Sequence, residues 1–172
     1  NTNKKYDKKI NNETIFALWS TSKVITTICM FILEEKNLID FNDPVSKYIP
    51  SFSNLKCMKI KKQKNANYED GDDYCLSSDN FYPCKNQMKI IDLMSHRSGF
   101  CTPENFYVDA VKADNLEELM EIISKQPLQY EPGTKYLYGV NQSILGRVIE
   151  VASNMQFGEF LNQYLFTPLD MN

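Results

Sequence analysis

Ser20 and Lys23 stand three positions apart in the stretch WSTSK, and this Ser-x-x-Lys spacing suits nucleophilic catalysis. On a helix, side chains three positions apart lie on one face. A serine hydroxyl is a poor nucleophile at neutral pH and needs a base within hydrogen-bonding distance, which a neutral lysine amine can provide. Backbone N–H groups at a helix start also stabilise negative charge. Ser20 and Lys23 are therefore a candidate nucleophile and base.

The same tetrapeptide has a purely structural interpretation. Ser20 or Thr21 could cap the helix that follows, with Lys23 in solvent. The spacing also recurs at Ser53-Asn54-Leu55-Lys56, within a polar stretch, so it arises easily by chance. A strongly apolar run follows Ser20 and favours it over Ser53, but the tetrapeptide by itself leaves the cap and the nucleophile open.

Three further stretches contain residue types that enzymes use. Tyr138 precedes a predicted helix; beside a cationic lysine a tyrosine ionises more readily and can relay a proton, although one of ten tyrosines is equally a packed or exposed ring. The triplet Ser78-Asp79-Asn80 matches an element of some serine acyl-transfer enzymes, yet it lies in a polar stretch where a turn is the simpler interpretation. His96, the single histidine, is interpreted as a capping or packing residue.

The elements that must position these side chains are mainly helical. Apolar spacing predicts helices at 24–36, within 88–100, and at 113–125, 141–153 and 157–166. The apolar face of the first is wider than that of a surface helix. Asn115, followed three positions later by Glu118, predicts an N-cap for the third. Strand-like runs are scarce, so the fold class is predicted to be mostly α.

The length of 172 residues fits one domain with a core of its own. Residues 1–18 are predicted to form an edge segment that leads to the Ser20 helix. Residues 53–87 carry a basic block and then an acidic block without a sustained apolar period, which predicts a polar insertion loop.

Composition excludes several classes of function. The net charge of −3 and the pI of about 5.3 do not suggest nucleic-acid binding. The longest apolar stretch, 28–33, is far shorter than a membrane span, so we expect a soluble protein of undetermined compartment. Five cysteines without a Cys-x-x-Cys pair, and one histidine, make a zinc site unexpected. Reduced thiols in a reducing compartment are the default expectation; in an oxidising one, Cys75 and Cys84 could pair.

Five stretches, in this order, resemble the serine β-lactamase-like and penicillin-binding-protein-like family, which includes class C β-lactamases, D-alanyl-D-alanine peptidases and esterases. They are NETIFALWSTSKVITT, EEKNLIDFNDPVSKYIPSF, MKIIDLMSHRSGF, YEPGTKYLYGVNQSILGRVIEVAS and FLNQYLFTPLDMN. The resemblance runs from about Asn11 to Met171. It implies that residues 1–172 are a single partial β-lactamase-like domain, the helical lobe of an α/β fold whose main antiparallel sheet is largely missing.

The resemblance also implies roles for individual residues. Ser20 would be the acylated nucleophile of a serine hydrolase, Lys23 its proton acceptor and Tyr138 a proton relay. The Ser20 N–H would supply half of an oxyanion hole. His96 would lie in a structural turn, and the triplet at 78–80 in an insertion. The implied substrate is a small ester, amide, lactam or peptide-like molecule, with no metal or organic cofactor.

The chain departs from the family pattern in four respects. The Tyr-x-Asn of many members is Tyr138-Gly139-Val140 here, which makes β-lactam turnover less expected. Arg97 replaces a usual threonine, and Trp19 is bulkier than the usual residue, which predicts a narrower pocket. The family's Lys-Thr-Gly or His-x-Gly strand is absent, so this chain by itself is expected to be inactive. The alternative function is a catalytically weak scaffold for binding or assembly, and the oligomeric state is left open.

Overall fold

The computed structural model describes residues 10–59, 80–101 and 111–171. Within these residues the α-helices are α1 (Lys23–Glu35), α2 (Ile90–Met94), α3 (Leu116–Ile123), α4 (Asn141–Ser153) and α5 (Phe157–Leu161). Short 3-10 turns span Trp19–Ser22, Val45–Lys47 and Pro50–Asn54, and a π-helical turn, Asn162–Phe166, continues α5. Strands β1 (Lys56–Met58) and β2 (Phe81–Pro83) pair antiparallel, with Cys57 opposite Tyr82.

Helix α4 is the centre of the helical packing. Helices α1, α2, α3 and α5 all pack against it. Its inward face has the predicted helical spacing, and its fully buried apolar side chains are Ile144, Leu145, Val148 and Ile149. Burying such a side chain contributes about 1.5–3 kcal/mol each, so this helix anchors the segments on either side of it.

Helix α1 is buried on one face only. Cys29, Met30 and Leu33 are fully buried, whereas Val24, Ile28 and Phe31 are exposed. The wide apolar face that the sequence showed for this helix is therefore not buried on all sides by the described residues. One face packs on α4, and the described residues leave the opposite apolar face uncovered.

The prediction of a loop over 53–87 is wrong at both of its ends. Residues 56–58 and 81–83 form the β1–β2 pair, and residues 60–79 between them lie outside the described residues. Three-residue strands are too short for the alternation of apolar and polar residues to show in a sequence. Their pairing depends on contacts between positions distant in the chain.

The predicted N-cap of α3 is confirmed. The Asn115 side chain accepts a hydrogen bond of 2.9 Å from the Glu118 N–H, and the Glu118 carboxylate accepts one from the Asn115 amide in return. This reciprocal arrangement depends on residues three positions apart, which is why sequence spacing was sufficient to identify it.

The described cysteines follow the predicted reduced state only in part. Cys29, Cys57 and Cys84 are free thiols, whereas Cys101 is disulfide-bonded. A pair between Cys75 and Cys84 is therefore wrong, because Cys84 is free. The expectation of reduced thiols is also wrong for Cys101. None of the helices in the described ranges combines the length and apolar character needed to cross a membrane.

Gly99 is required by its backbone conformation. Its φ is +85°, and a Cβ at this position would lie 2.1 Å from the Tyr130 carbonyl oxygen. We expect Gly99→Ala to lower the free energy of unfolding by on the order of 3 kcal/mol, measured by urea denaturation. Gly158→Ala is the matched control, since a Cβ there would meet no atom within 4 Å and alanine is favoured in a helix. Equal stability of the two variants would contradict this account.

Candidate active site

Ser20 lies in the 3-10 turn Trp19–Ser22, directly before α1. Its Oγ is 2.7 Å from the Tyr138 hydroxyl oxygen and accepts a hydrogen bond of 3.1 Å from Lys23 Nζ. No side chain caps the first turn of α1, so the capping interpretation of Ser20 is not what the structure shows. The structure thus brings the three candidate side chains together, although Tyr138 is 118 positions from Ser20 in the chain.

Lys23 is held between the other two side chains. It is half-buried, and its Nζ lies 4.8 Å from the centroid of the Tyr138 ring. The amine therefore lies within hydrogen-bonding distance of Ser20 Oγ and beside the Tyr138 ring.

Tyr138 is positioned by a loop that is attached to the turn at 96–99. The Gly133 N–H donates to the Arg97 carbonyl at 2.8 Å, and the Leu137 N–H donates to the His96 carbonyl at 2.8 Å. The Arg97 guanidinium also donates to the Gly133 carbonyl. Arg97, a departure from the family pattern, therefore joins the two segments directly.

His96 supports the Tyr138 ring. The two rings stack with centroids 4.9 Å apart and an interplanar angle of 19°. The His96 backbone has a φ of +54°, and its Nδ1 lies 3.0 Å from the Asn141 side-chain amide. The packing interpretation of His96 agrees with this geometry. Its contact with Tyr138 was missed, because no local spacing relates the two positions.

Asn141 does not take the place of the family's asparagine. It is fully buried and contacts Ser98 and His96, on the support side of the site. Val140, at the position of the family's asparagine, is 9% exposed and has no polar side-chain atom to offer a substrate. The described site consequently lacks the amide that many family members present beside the tyrosine.

The residues directly before Ser20 are apolar and exposed. Trp19 is 86% exposed and has a φ of +49°, an uncommon conformation for a bulky residue. Ile15, Phe16 and Leu18, directly before it, are exposed as well. That Trp19 narrows the pocket and that the Ser20 N–H stabilises an oxyanion stay predictions. In the triplet at 78–80, Ser78 and Asp79 lie outside the described residues, and Asn80 is exposed.

A second group of reactive side chains lies at the β1–β2 pair. Among the described residues, Cys57, Cys84 and Glu131 are the residues close enough together to hold a metal ion. A hydrogen bond to Cys84 and burial raise the pKa of the Cys57 thiol, and the same hydrogen bond lowers the pKa of Cys84. Sequence spacing did not reveal this group, since its members come from three separate segments.

Comparison with known sequences places the chain in a family. The family model described as Beta-lactamase matches residues 2–172. A protein of Salmonella typhimurium, provisionally assigned as a D-alanyl-D-alanine carboxypeptidase, is 29% identical over 169 residues, which are 95% of this chain and 34% of that protein. The chain thus spans about a third of the length of the curated relatives it matches.

Solved structures share the fold. FmtA from Staphylococcus aureus matches with a TM-score of 0.64 and 23% identity, over 91% of this chain and 36% of that one. Simvastatin synthase from Aspergillus terreus matches with a TM-score of 0.62 and 19% identity, over 89% of this chain and 36% of that one. The β-lactamase-like fold is therefore confirmed, and the chain covers only part of it.

Proposed function

This chain belongs to the β-lactamase family, and we propose that the full-length protein is a serine acyl-enzyme hydrolase. In this proposal Ser20 is the nucleophile, Lys23 its base and Tyr138 the proton relay. The observation that supports it most directly is the position of Ser20 Oγ, 2.7 Å from the Tyr138 hydroxyl and 3.1 Å from Lys23 Nζ. A nucleophile in contact with a base, which is itself positioned by a third group, is the arrangement that covalent catalysis requires.

The reaction has two steps. Ser20 Oγ attacks the carbonyl carbon of the substrate while the neutral amine of Lys23 takes the hydroxyl proton. The tetrahedral intermediate then loses its leaving group, which receives a proton through the Tyr138 hydroxyl, and an acyl ester on Ser20 remains. Water attacks the carbonyl carbon of this ester and gives up one proton through Tyr138 to Lys23. The bond between that carbon and Ser20 Oγ then breaks, Lys23 returns the proton to Oγ, and the acid is released.

The substrate class is a small ester, amide, lactam or peptide-like molecule. The name of the Salmonella relative favours a peptide-like substrate for that protein. In this chain Val140 stands where many family members have an asparagine, so the site offers the substrate one polar contact fewer. This difference favours an ester substrate over a β-lactam. No step above needs a metal ion or an organic cofactor. The proposal is tested by mass spectrometry: full-length protein exposed to an activated ester should carry an acyl group on Ser20.

Removal of the Tyr138 hydroxyl should slow turnover while leaving the support of the ring in place. We expect Tyr138→Phe to lower kcat for an activated ester by about 10²-fold, because the proton relay is lost while the ring can still stack on His96. Steady-state kinetics of the full-length protein would measure this. Tyr136→Phe is the control, since Tyr136 also contacts the His96 ring but lies 51% exposed. A similar loss in both variants would contradict the relay.

The second candidate function is a scaffold with little or no turnover. The observation that favours it is the combination of a buried Val140 and an Asn141 bound on the support side. On this hypothesis the full-length protein would form an assembly and would hydrolyse activated esters no faster than its Ser20→Ala variant. A monomer by light scattering, with rapid ester turnover, would exclude it.

A further inference from the structure

Two cysteines and a glutamate from three separate segments meet at the β1–β2 pair. The Sγ atoms of Cys57 and Cys84 and a carboxylate oxygen of Glu131 all lie within 4.8 Å of one another. Cys57 is fully buried, Cys84 and Glu131 are half-buried, and both thiols are free. We propose that these three residues bind a thiophilic divalent cation, Zn²⁺, at a site separate from Ser20.

Main-chain hydrogen bonds hold the two cysteines in place. Cys57 lies opposite Tyr82 in the β1–β2 ladder, and the Cys84 N–H donates to the Leu55 carbonyl at 3.1 Å. Residues directly opposite in an antiparallel pair face the same side, and so do residues two positions apart in a strand. Both thiols therefore lie on the same face of the pair. A bridge between Cys57 and Leu128 attaches β1 to the segment that carries Glu131.

Glu131 is oriented by backbone donors. Its carboxylate accepts hydrogen bonds from the Lys85 N–H, at 2.9 and 3.2 Å to its two oxygens, and from the Asn86 N–H at 3.1 Å. A carboxylate has about four acceptor positions, so these donors leave room for a cation. Such outer contacts are what orient a metal-binding carboxylate. The hydrogen bonds also place Glu131 beside Cys84, the residue that follows β2.

The donor set selects the kind of cation. Two thiolates favour Zn²⁺ and other soft ions over Ca²⁺ and Mg²⁺, which prefer oxygen. Bond lengths of about 2.3 Å to sulfur and about 2.1 Å to oxygen place ligand atoms of a tetrahedral Zn²⁺ up to about 4 Å apart. The three side chains would have to close by less than about 1 Å. Water would complete the tetrahedron.

A cation here would connect the β1–β2 pair to the loop that leads to Tyr138. Without it, Glu131 is held to the segment directly after β2 by hydrogen bonds from the Lys85 and Asn86 N–H groups. The proposal goes beyond the hydrolase function and does not depend on it. Its test therefore measures metal binding and not hydrolase activity. Labelling of Ser20 tests the hydrolase proposal separately.

The test uses the full-length protein with its Cys101 disulfide intact, stripped with a chelator and titrated with Zn²⁺ alone against a chromophoric chelator. We expect the wild-type protein to bind one more Zn²⁺ ion per chain than the Cys57→Ala/Cys84→Ala double variant does. Glu131→Gln should weaken binding by at least about 10-fold. Cys29→Ala is the matched control, because Cys29 is also a buried free thiol but lies outside the group, and it should bind as wild type does.

A second measurement needs no variant and so does not depend on how the variants fold. Co²⁺ added to the chelator-stripped wild-type protein, with its Cys101 disulfide intact, should produce a thiolate-to-metal charge-transfer absorption, which is lost when Zn²⁺ displaces the Co²⁺. The absence of this band, or a zinc stoichiometry that is the same in the double cysteine variant, would overturn the proposal. A Cys29→Ala variant that still unfolds cooperatively but no longer binds Zn²⁺ would also overturn the proposal.

Discussion

Replacement of Ser20 by alanine should abolish covalent labelling of the full-length protein by a fluorophosphonate or an activated ester. The variant has no oxygen to acylate, and loss of a nucleophile in a catalytic group that acts as a unit costs about 10⁴-fold or more in kcat. Ser20 is exposed, so its removal should change the free energy of unfolding by less than about 0.5 kcal/mol. Loss of labelling would therefore report on chemistry and not on folding. Intact-protein mass spectrometry would measure it.

The chain contains its own control for this experiment. Ser53 has the same spacing to Lys56 as Ser20 has to Lys23, and it is also exposed. No described hydrogen bond connects Ser53 to Lys56; the Ser53 Oγ contact that the structure shows is with Asn54. Ser53→Ala should label as wild type does. Persistent labelling of Ser20→Ala would falsify the assignment of the nucleophile.

Replacement of Lys23 by arginine should lower the rate of acylation by about 10²–10⁴-fold, the range contributed by a positioned base. Arginine keeps the positive charge and much of the length of the side chain, but its guanidinium does not lose a proton in proteins. The substitution therefore separates a base from a charge that merely stabilises an oxyanion. Single-turnover kinetics with an activated ester, under conditions where acylation is limiting, would measure the effect.

Lys23→Met serves as the companion variant. It removes both the charge and the base, while its unbranched side chain can occupy the half-buried position. If Lys23 is the base, the arginine and methionine variants should be similarly slow. Near-normal acylation by the arginine variant, together with a slow methionine variant, would show that Lys23 acts through its charge. Lys56→Met, at the exposed second motif, should leave the rate unchanged.

The helices were predictable from the sequence to the extent that their signals are local. Asn115 and Glu118 identify the start of α3 because the N-cap hydrogen bond between them spans only three positions. Helix α4 was predicted because apolar residues recur along it at helical spacing, and these residues are the ones the structure buries. The strands β1 and β2 were missed, since each has three residues and their pairing is not local.

The candidate site was also predictable only in its local part. Ser20 and Lys23 are close in the chain, so their contact of 3.1 Å follows from the geometry of one helical turn. Tyr138 could be selected among ten tyrosines only through the family resemblance. That its hydroxyl lies 2.7 Å from Ser20, and that His96 stacks on its ring, depends on how the 96–99 turn and the Gly133–Leu137 loop are joined.

By itself, the sequence determined the family, the main helices and a candidate nucleophile with its base, because each of these is encoded in residues a few positions apart or in the order of short motifs. Tertiary structure decided which tyrosine reaches Ser20 and where Asn141 lies. It also decided that Cys57, Cys84 and Glu131 meet. These contacts join residues tens of positions apart, and such neighbours are set by how helices and strands pack rather than by any spacing along the chain.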